Sequence, residues 1–243
     1  MDIELQNVSK NFNGKCALAD INLEIAKKRI VAFIGPSGSG KTTLLRIINL
    51  LDSPSKGTIY LDARKNEDLT GEERYELRKR MALVFQNPSL FQKTVFENVA
   101  YGLRIRNKST NEIDREVHKS LDLVGLGPLK NQFAPTLSAG EAQRVSFARA
   151  IVFKPELLLL DEYTANLDPA NVKLLEESVL AYQKETNATI ILATHNLFQA
   201  RRLANEVVFI FDGKIVERGK KDIFFSNPRN PLTRSFLSGE LIY

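Results

Sequence analysis

The 243-residue sequence has a single cysteine, two histidines, no tryptophan and no long apolar run. Cys16 alone cannot close an internal disulfide, and no Cys and His cluster offers a zinc or iron–sulfur site, so a reducing cytosol is the simplest expected setting. The apolar runs, such as Ile30 to Ile34 and Val207 to Phe211, fall far short of the roughly 18 to 20 residues that span a bilayer. The opening Met1-Asp2-Ile3-Glu4-Leu5-Gln6 is acidic where a secretion signal is basic, and no apolar core segment follows it. An exported or membrane-crossing chain is therefore not expected. What is present is an ordinary globular balance, 43% hydrophobic and 26% charged. The net charge of +5 is compatible with nucleic acid, acidic lipid or a phosphorylated ligand, and does not choose among them.

Alternating apolar positions at Ile3, Leu5 and Val8, and again at Ile21, Leu23 and Ile25, predict two half-buried strands. Ile30 to Ile34, Met81 to Phe85, Leu157 to Leu160, Thr189 to Ala193 and Val207 to Phe211 read as fully buried strands. Gly57 to Asp62 adds an alternating strand, and Asp212-Gly213 signals a tight hairpin. Helical patterns start near residue 40 and cover 112 to 124, 138 to 153, 170 to 185 and 196 to 204. Buried strands alternating with helices predict an α/β fold with a mostly parallel sheet covered on both faces. The stretch from about 87 to 154 carries helices alone and is expected to be a helical subdomain inserted into one domain of residues 1 to 243.

Gly35-Pro36-Ser37-Gly38-Ser39-Gly40-Lys41-Thr42 fits G-x-x-x-x-G-K-[ST], between a buried strand and a helix. Glycines let successive backbone N–H groups converge on phosphate oxygens at a helix N-terminus. Lys41 reaches the terminal phosphates, and the Thr42 hydroxyl ligates Mg²⁺. Thr43 completes the candidate set. Leu157 to Leu160 ends in Asp161-Glu162, at the strand end where an open parallel sheet binds its ligand. There Asp161 is expected to hold Mg²⁺, directly or through water, and Glu162 to orient and deprotonate an attacking water. Ser138-x-x-Glu141 ahead of an apolar-periodic helix is a capping box.

Further elements follow in a recognisable order. Leu137-Ser138-Ala139-Gly140-Glu141-Ala142-Gln143-Arg144 is similar to the signature of the nucleotide-binding subunits of ABC transporters. Gln86 resembles their glutamine loop, Ala165-Asn166-Leu167-Asp168 their D-loop, His195 their switch histidine, and Phe12 the aromatic that stacks on adenine. The resemblance runs along essentially the whole chain. It implies a P-loop ATPase with an antiparallel β subdomain beside the core sheet. It implies also that ATP is held between two copies of the chain, with Ser138 and Gly140 acting across the dimer, Asp168 nearby, Gln86 helping to hold Mg²⁺, and His195 contacting the γ-phosphate.

Three residues depart from the family pattern: Ala139 for Gly, Glu141 for Gln, and Tyr163 for Pro. Glu141 adds negative charge close to a triphosphate, which predicts weaker ATP-driven pairing. By resemblance, the partners are separate integral membrane permease subunits and, indirectly, a substrate-binding protein, with the chain peripheral on the cytoplasmic face of the membrane. The cargo that overall likeness favours is tungstate or a related oxyanion, a polar amino acid being the alternative. A soluble ATPase of this type acting on nucleic acid is disfavoured, since those carry two such domains or a long coiled-coil insertion, and no nucleic-acid partner is expected. A small-molecule kinase would not need Leu137 to Arg144 or His195. Residues 201 to 234 carry eight Lys or Arg against four acidic residues, which predicts a basic surface suited to anionic lipid.

Overall fold

The computed structural model describes residues 1–241. Its strands sort by burial. β1 (Ile3–Phe12) and β2 (Lys15–Ile25) alternate buried and exposed positions, whereas β3 (Ile30–Ile34) is buried at all five. With β4 (Lys56–Leu61) and β5 (Arg64–Lys65), the alternating strands form an antiparallel sheet in the order β2-β1-β4-β5. The buried strands β6 (Met81–Val84), β7 (Leu157–Asp161), β8 (Thr189–Thr194) and β9 (Glu206–Phe211) join β3 in a second sheet, closed at one edge by β10 (Lys214–Lys220). Its order is β10-β9-β3-β8-β7-β6, parallel except for the β9–β10 hairpin. Asp212 and Gly213, both at positive φ (46° and 71°), make that hairpin turn, as the sequence predicts.

The period of two along each buried strand divides the core between two faces. Ile30, Ala32, Ile34, Leu158, Leu160, Ile190 and Leu192 pack in one cluster, and Val31, Phe33, Leu157, Leu159, Ile191 and Ala193 in the other. The second cluster is completed by the antiparallel sheet and by α1 (Lys41–Ile48). The first is completed by helices: α3 (Val95–Arg104), α4 (Thr110–Leu123), α5 (Ala139–Ile151), α6 (Pro169–Thr186) and α7 (Leu197–Leu203). Helices α3, α4 and α5 stand between β6 and β7 in chain order with no strand among them.

The first strand runs on from the predicted residues 2 to 8 as far as Phe12, because β2 begins at Lys15 and pairs back along it. Three helices lie outside the helical patterns expected from the sequence, each with a small buried face. α2 (Gly71–Lys79) buries only Leu77, α8 (Lys221–Ser226) only Phe224, and α9 (Pro231–Ser238) only Thr233 and Phe236. The expected basic surplus over 201 to 234 is reduced from outside the segment, among the described residues, only where Arg202 pairs with Glu176; the Arg218–Glu206 pair lies within the segment. Among the described residues, no helix is long and apolar enough to cross a membrane.

Candidate nucleotide site

Parallel register brings the chemistry to one end of the second sheet. Ile34 pairs with Thr194, and Asp161 with Ala193, so the segments that leave β3, β7 and β8 emerge side by side. They carry the glycine loop, Glu162 and His195. Between them lies a cleft of about 400 Å³ lined by Ala17, Ser37, Gly38, Gly40, Lys41, Thr42, Thr43, Gln86, Glu162 and His195.

The glycine loop is built for close backbone approach. Gly40 sits at φ 105°, and a Cβ there would lie 2.7 Å from the Ala17 carbonyl oxygen and 2.8 Å from Leu18 Cδ2, so only glycine fits. Gly40 also opens α1 without any side-chain cap. By contrast Thr70, Thr94, Ser109, Ser138, Asp168 and Asn196 cap α2 through α7 with their side chains. The first amides of α1 are thus left for an anion. Lys41 is 6% exposed, and its Nζ donates to the carbonyls of Gly35 and Pro36, each at 2.8 Å. Burial pulls its pKa down, against the attraction of Glu162 and Asp161. Gly35 and Pro36 hold the lysine without lining the cleft, and Ser39, within the loop, is buried away from it.

Thr42 Oγ1 donates to Asp161 Oδ1 at 2.9 Å. Burial raises the pKa of Asp161, with the bond from Thr42 opposing. Among the described residues no group of three His, Cys, Asp or Glu converges as a metal site. The donors present are the oxygens of Thr42, Asp161 and Gln86. That set suits Mg²⁺, a hard cation that keeps several waters and takes the rest of its shell from phosphate. Glu162 follows Asp161 with a left-handed backbone, φ 47°, its N–H donating to the Ala193 carbonyl at 3.0 Å. This geometry turns the carboxylate into the cleft. One oxygen stands 4.0 Å from Lys41 Nζ, and the other lies 2.9 Å from His195 Nδ1. A charged clamp and a carboxylate beside an imidazole therefore share one cleft, with buried Asp161 reaching it through Thr42.

Ser138, Gly140, Asp168 and Phe12 do not line it. Ser138 caps α5 in the expected box: its Oγ accepts from Glu141 N at 3.3 Å, and both its N–H and its O–H donate to Glu141 Oε2 at 2.8 Å. These bonds hold the Glu141 carboxyl below its ordinary pKa. Asp168 caps α6 by accepting from Ala170 N and Asn171 N, both at 3.0 Å. Phe12 is 46% exposed at the end of β1, with Lys10 Nζ 4.9 Å from its ring centroid. Ala139 is exposed at the start of α5 and meets no obstacle, while Tyr163 is fully buried with its hydroxyl unpartnered. Sequence reasoning missed two residues. Ala17 reaches the cleft because β2 passes beside Gly40, and buried Gln143 donates to the Phe85 carbonyl at 3.0 Å, tethering α5 to the segment bearing Gln86. The Gln143 pairing spans 58 positions, so no local pattern announces it.

Residues 18–165 match the ABC transporter family. A phosphate import ATP-binding protein of Natronomonas pharaonis is 40% identical over 99% of this chain and 88% of its own length. A tungstate uptake system ATP-binding protein of Peptoclostridium acidaminophilum is 37% identical over 93% of this chain and its full length. A methionine import ATP-binding protein of Haemophilus ducreyi is 38% identical over 97% of this chain and 70% of its own length. A solved ATP-binding cassette, dimeric in a post-hydrolysis state with ADP and Pi, superposes with a TM-score of 0.83 at 30% identity, over 90% of this chain and 98% of that one. The cleft has the parts that ATP hydrolysis needs, and the family match covers the strand, loop and carboxylates that build it: the chain belongs to the ABC transporter family, as an ATP-binding and ATP-hydrolysing subunit.

Proposed function

We propose that two copies of this chain close on ATP and energise a separate permease that imports a small oxyanion, of the tungstate or phosphate class. The convergence of Lys41, the Thr42–Asp161 pair and the Glu162–His195 pair in one cleft carries the reading. Lys41 exchanges its carbonyl partners for phosphate oxygens, and the open amides of α1 take the remainder. Thr42, Asp161 and Gln86 hold Mg²⁺, which when bound neutralises charge on the phosphate oxygens. Glu162 accepts the proton of the attacking water, and His195, 2.9 Å from its carboxylate, flanks the same water position. Ser138 and Gly140, standing outside the cleft of their own chain, complete the partner's site, and the dimeric solved relative supports that arrangement.

The permease has a surface to meet. Phe91 and Tyr101 meet with tilted rings 4.7 Å apart between centroids and are 41% and 46% exposed; Ile105, one turn beyond Tyr101, is 49% exposed and shares a cleft with Tyr75, 54% exposed. Such an apolar strip along the junction of α2, α3 and the segment after Gln86 fits a short helix of a membrane partner. Docking there places the chain peripherally at the membrane, with a substrate-binding protein acting through the permease. The phosphate and tungstate relatives favour an oxyanion; the methionine relative keeps a polar amino acid as the second reading. Hydrolysis by Glu162→Gln decides the site: the expected result is a loss of about 100-fold or more in turnover with ATP still bound and dimers accumulating. Turnover near the unsubstituted rate would remove Glu162 from the base role.

A further inference from the structure

Behind the cleft lies a polar cluster that none of the steps above uses. Glu176 on α6 is 6% exposed, and Gln199 on α7 is fully buried. Arg202 grips the Glu176 carboxylate with Nε and Nη2, both at 2.7 Å. The Gln199 amide donates to Glu176 Oε1 at 3.3 Å and to Thr164 Oγ1 at 2.8 Å. A buried carboxylate and a buried amide are costly to desolvate, and here partners from three chain segments meet the carboxylate and the amide nitrogen, leaving only Gln199 Oε1 without a partner.

The position of the cluster gives it meaning. Thr164 is two residues beyond Glu162, in the turn closed by the bond from Ala165 N to the Glu162 carbonyl at 2.9 Å. At the other end, Gln199 N donates to Asn196 Oδ1 at 3.1 Å, and Asn196 N to Thr194 Oγ1 at 3.0 Å, so the bonds of Gln199 bracket His195. Glu162 and His195 are 33 positions apart and lie on different strand ends, His195 with a side chain 65% exposed. The β7–β8 pairing joins their backbones as far as the bond from Glu162 N to the Ala193 carbonyl, and beyond it the two side chains depend on their loops. The Gln199 side chain ties α7, whose cap follows His195, to the loop after Glu162, its backbone N–H closes that cap on Asn196, and Glu176 and Arg202 fix the helix against α6.

We propose that Gln199, clamped between Thr164 and the Glu176–Arg202 pair, is a positioning residue that keeps Glu162 and His195 in register and so governs the rate of ATP hydrolysis without contributing to ATP binding. The inference rests on the reading that Glu162 and His195 act together on the attacking water. Thr164→Val removes the acceptor at constant volume, and Gln199→Leu removes the donor. Steady-state hydrolysis by the purified chain should show kcat down about tenfold or more in each, as expected when a catalytic contact loosens, with KM for ATP and the affinity for ATP within about twofold. Thr164→Ser restores the oxygen and should restore kcat. If Gln199→Leu fails to fold, the Thr164 pair decides alone. Unchanged kcat in Thr164→Val, kcat and KM changing together, or a Thr164→Ser rate as low as that of Thr164→Val, overturns the proposal. Glu162→Gln separates the two levels. If it abolishes turnover while Thr164→Val does not alter it, only the positioning role falls; if Glu162→Gln turns over normally, the site reading falls and the proposal with it.

Discussion

Gly140 offers a test in which the structure dictates the sign of the effect. A Cβ on Gly140 would lie 2.5 Å from Asn171 Nδ2 and 2.6 Å from its Cγ. Asn171 is not free to retreat, because its Nδ2 donates to Asp168 Oδ2 at 2.5 Å. Gly140→Ala must displace Asn171 and break that bond, and overpacking of this kind costs about 1–3 kcal/mol. Alanine in a helix recovers roughly 0.8–1 kcal/mol relative to glycine. The single substitution should therefore destabilise by up to about 2 kcal/mol, lowering Tm by roughly 2–4 °C per kcal/mol in a chain of this size. In an Asn171→Ala background the obstruction is gone and only the helix preference remains, so the same substitution should stabilise by up to about 1 kcal/mol. Thermal or urea unfolding of the four proteins measures the coupling. Equal destabilisation in both backgrounds, additive within about 0.5 kcal/mol, would refute the claim that the start of α5 is wedged against the Asp168 turn.

Three further outcomes follow from particular contacts. Glu141→Gln removes a carboxylate that accepts both the N–H and the O–H of Ser138, and it should strengthen ATP-dependent pairing; sedimentation with ATP showing equal or weaker dimerisation would contradict this. Leu159→Ala, in a fully buried strand, should cost about 2–5 kcal/mol in urea unfolding, and a loss below about 1 kcal/mol would mean that the two-faced core is misassigned. The hydrogen bond from Arg46 holds Asp52 below its ordinary carboxylate pKa, as those from Lys154 hold Glu116 and those from Arg80 hold Glu156. Their stabilisation is complete above the unfolded values near 4 and disappears as pH falls through the lower folded ones, so Tm should drop between about pH 4.5 and pH 3. A flat Tm over that range would show that these pairs contribute nothing.

The parallel core was readable because each buried strand is short, apolar and ended by a turn signal; Ile30 to Ile34 agrees at both ends. The phosphate loop and Asp161-Glu162 were readable because their chemistry is contiguous in the chain. What escaped the sequence is what folding assembles across distance or on the surface. α2 is charged nearly throughout, and one buried leucine makes no periodic face. Ala17 is an unremarkable residue until β2 is laid beside Gly40. Gln199 sits in a stretch already predicted to be helical, but its partners Thr164 and Glu176 lie 35 and 23 positions away, so only the packed structure shows what the amide is for.

Glu162 occupies a left-handed backbone position that a side chain with a Cβ takes up at a cost of about 1–2 kcal/mol. Glycine there would relax the turn, and asparagine would suit it better than glutamate. The fold and the reaction thus make opposite demands on one residue. Backbone geometry alone therefore gives no reason to keep a glutamate here; what holds it in place is the reaction and the buried Lys41 that it faces.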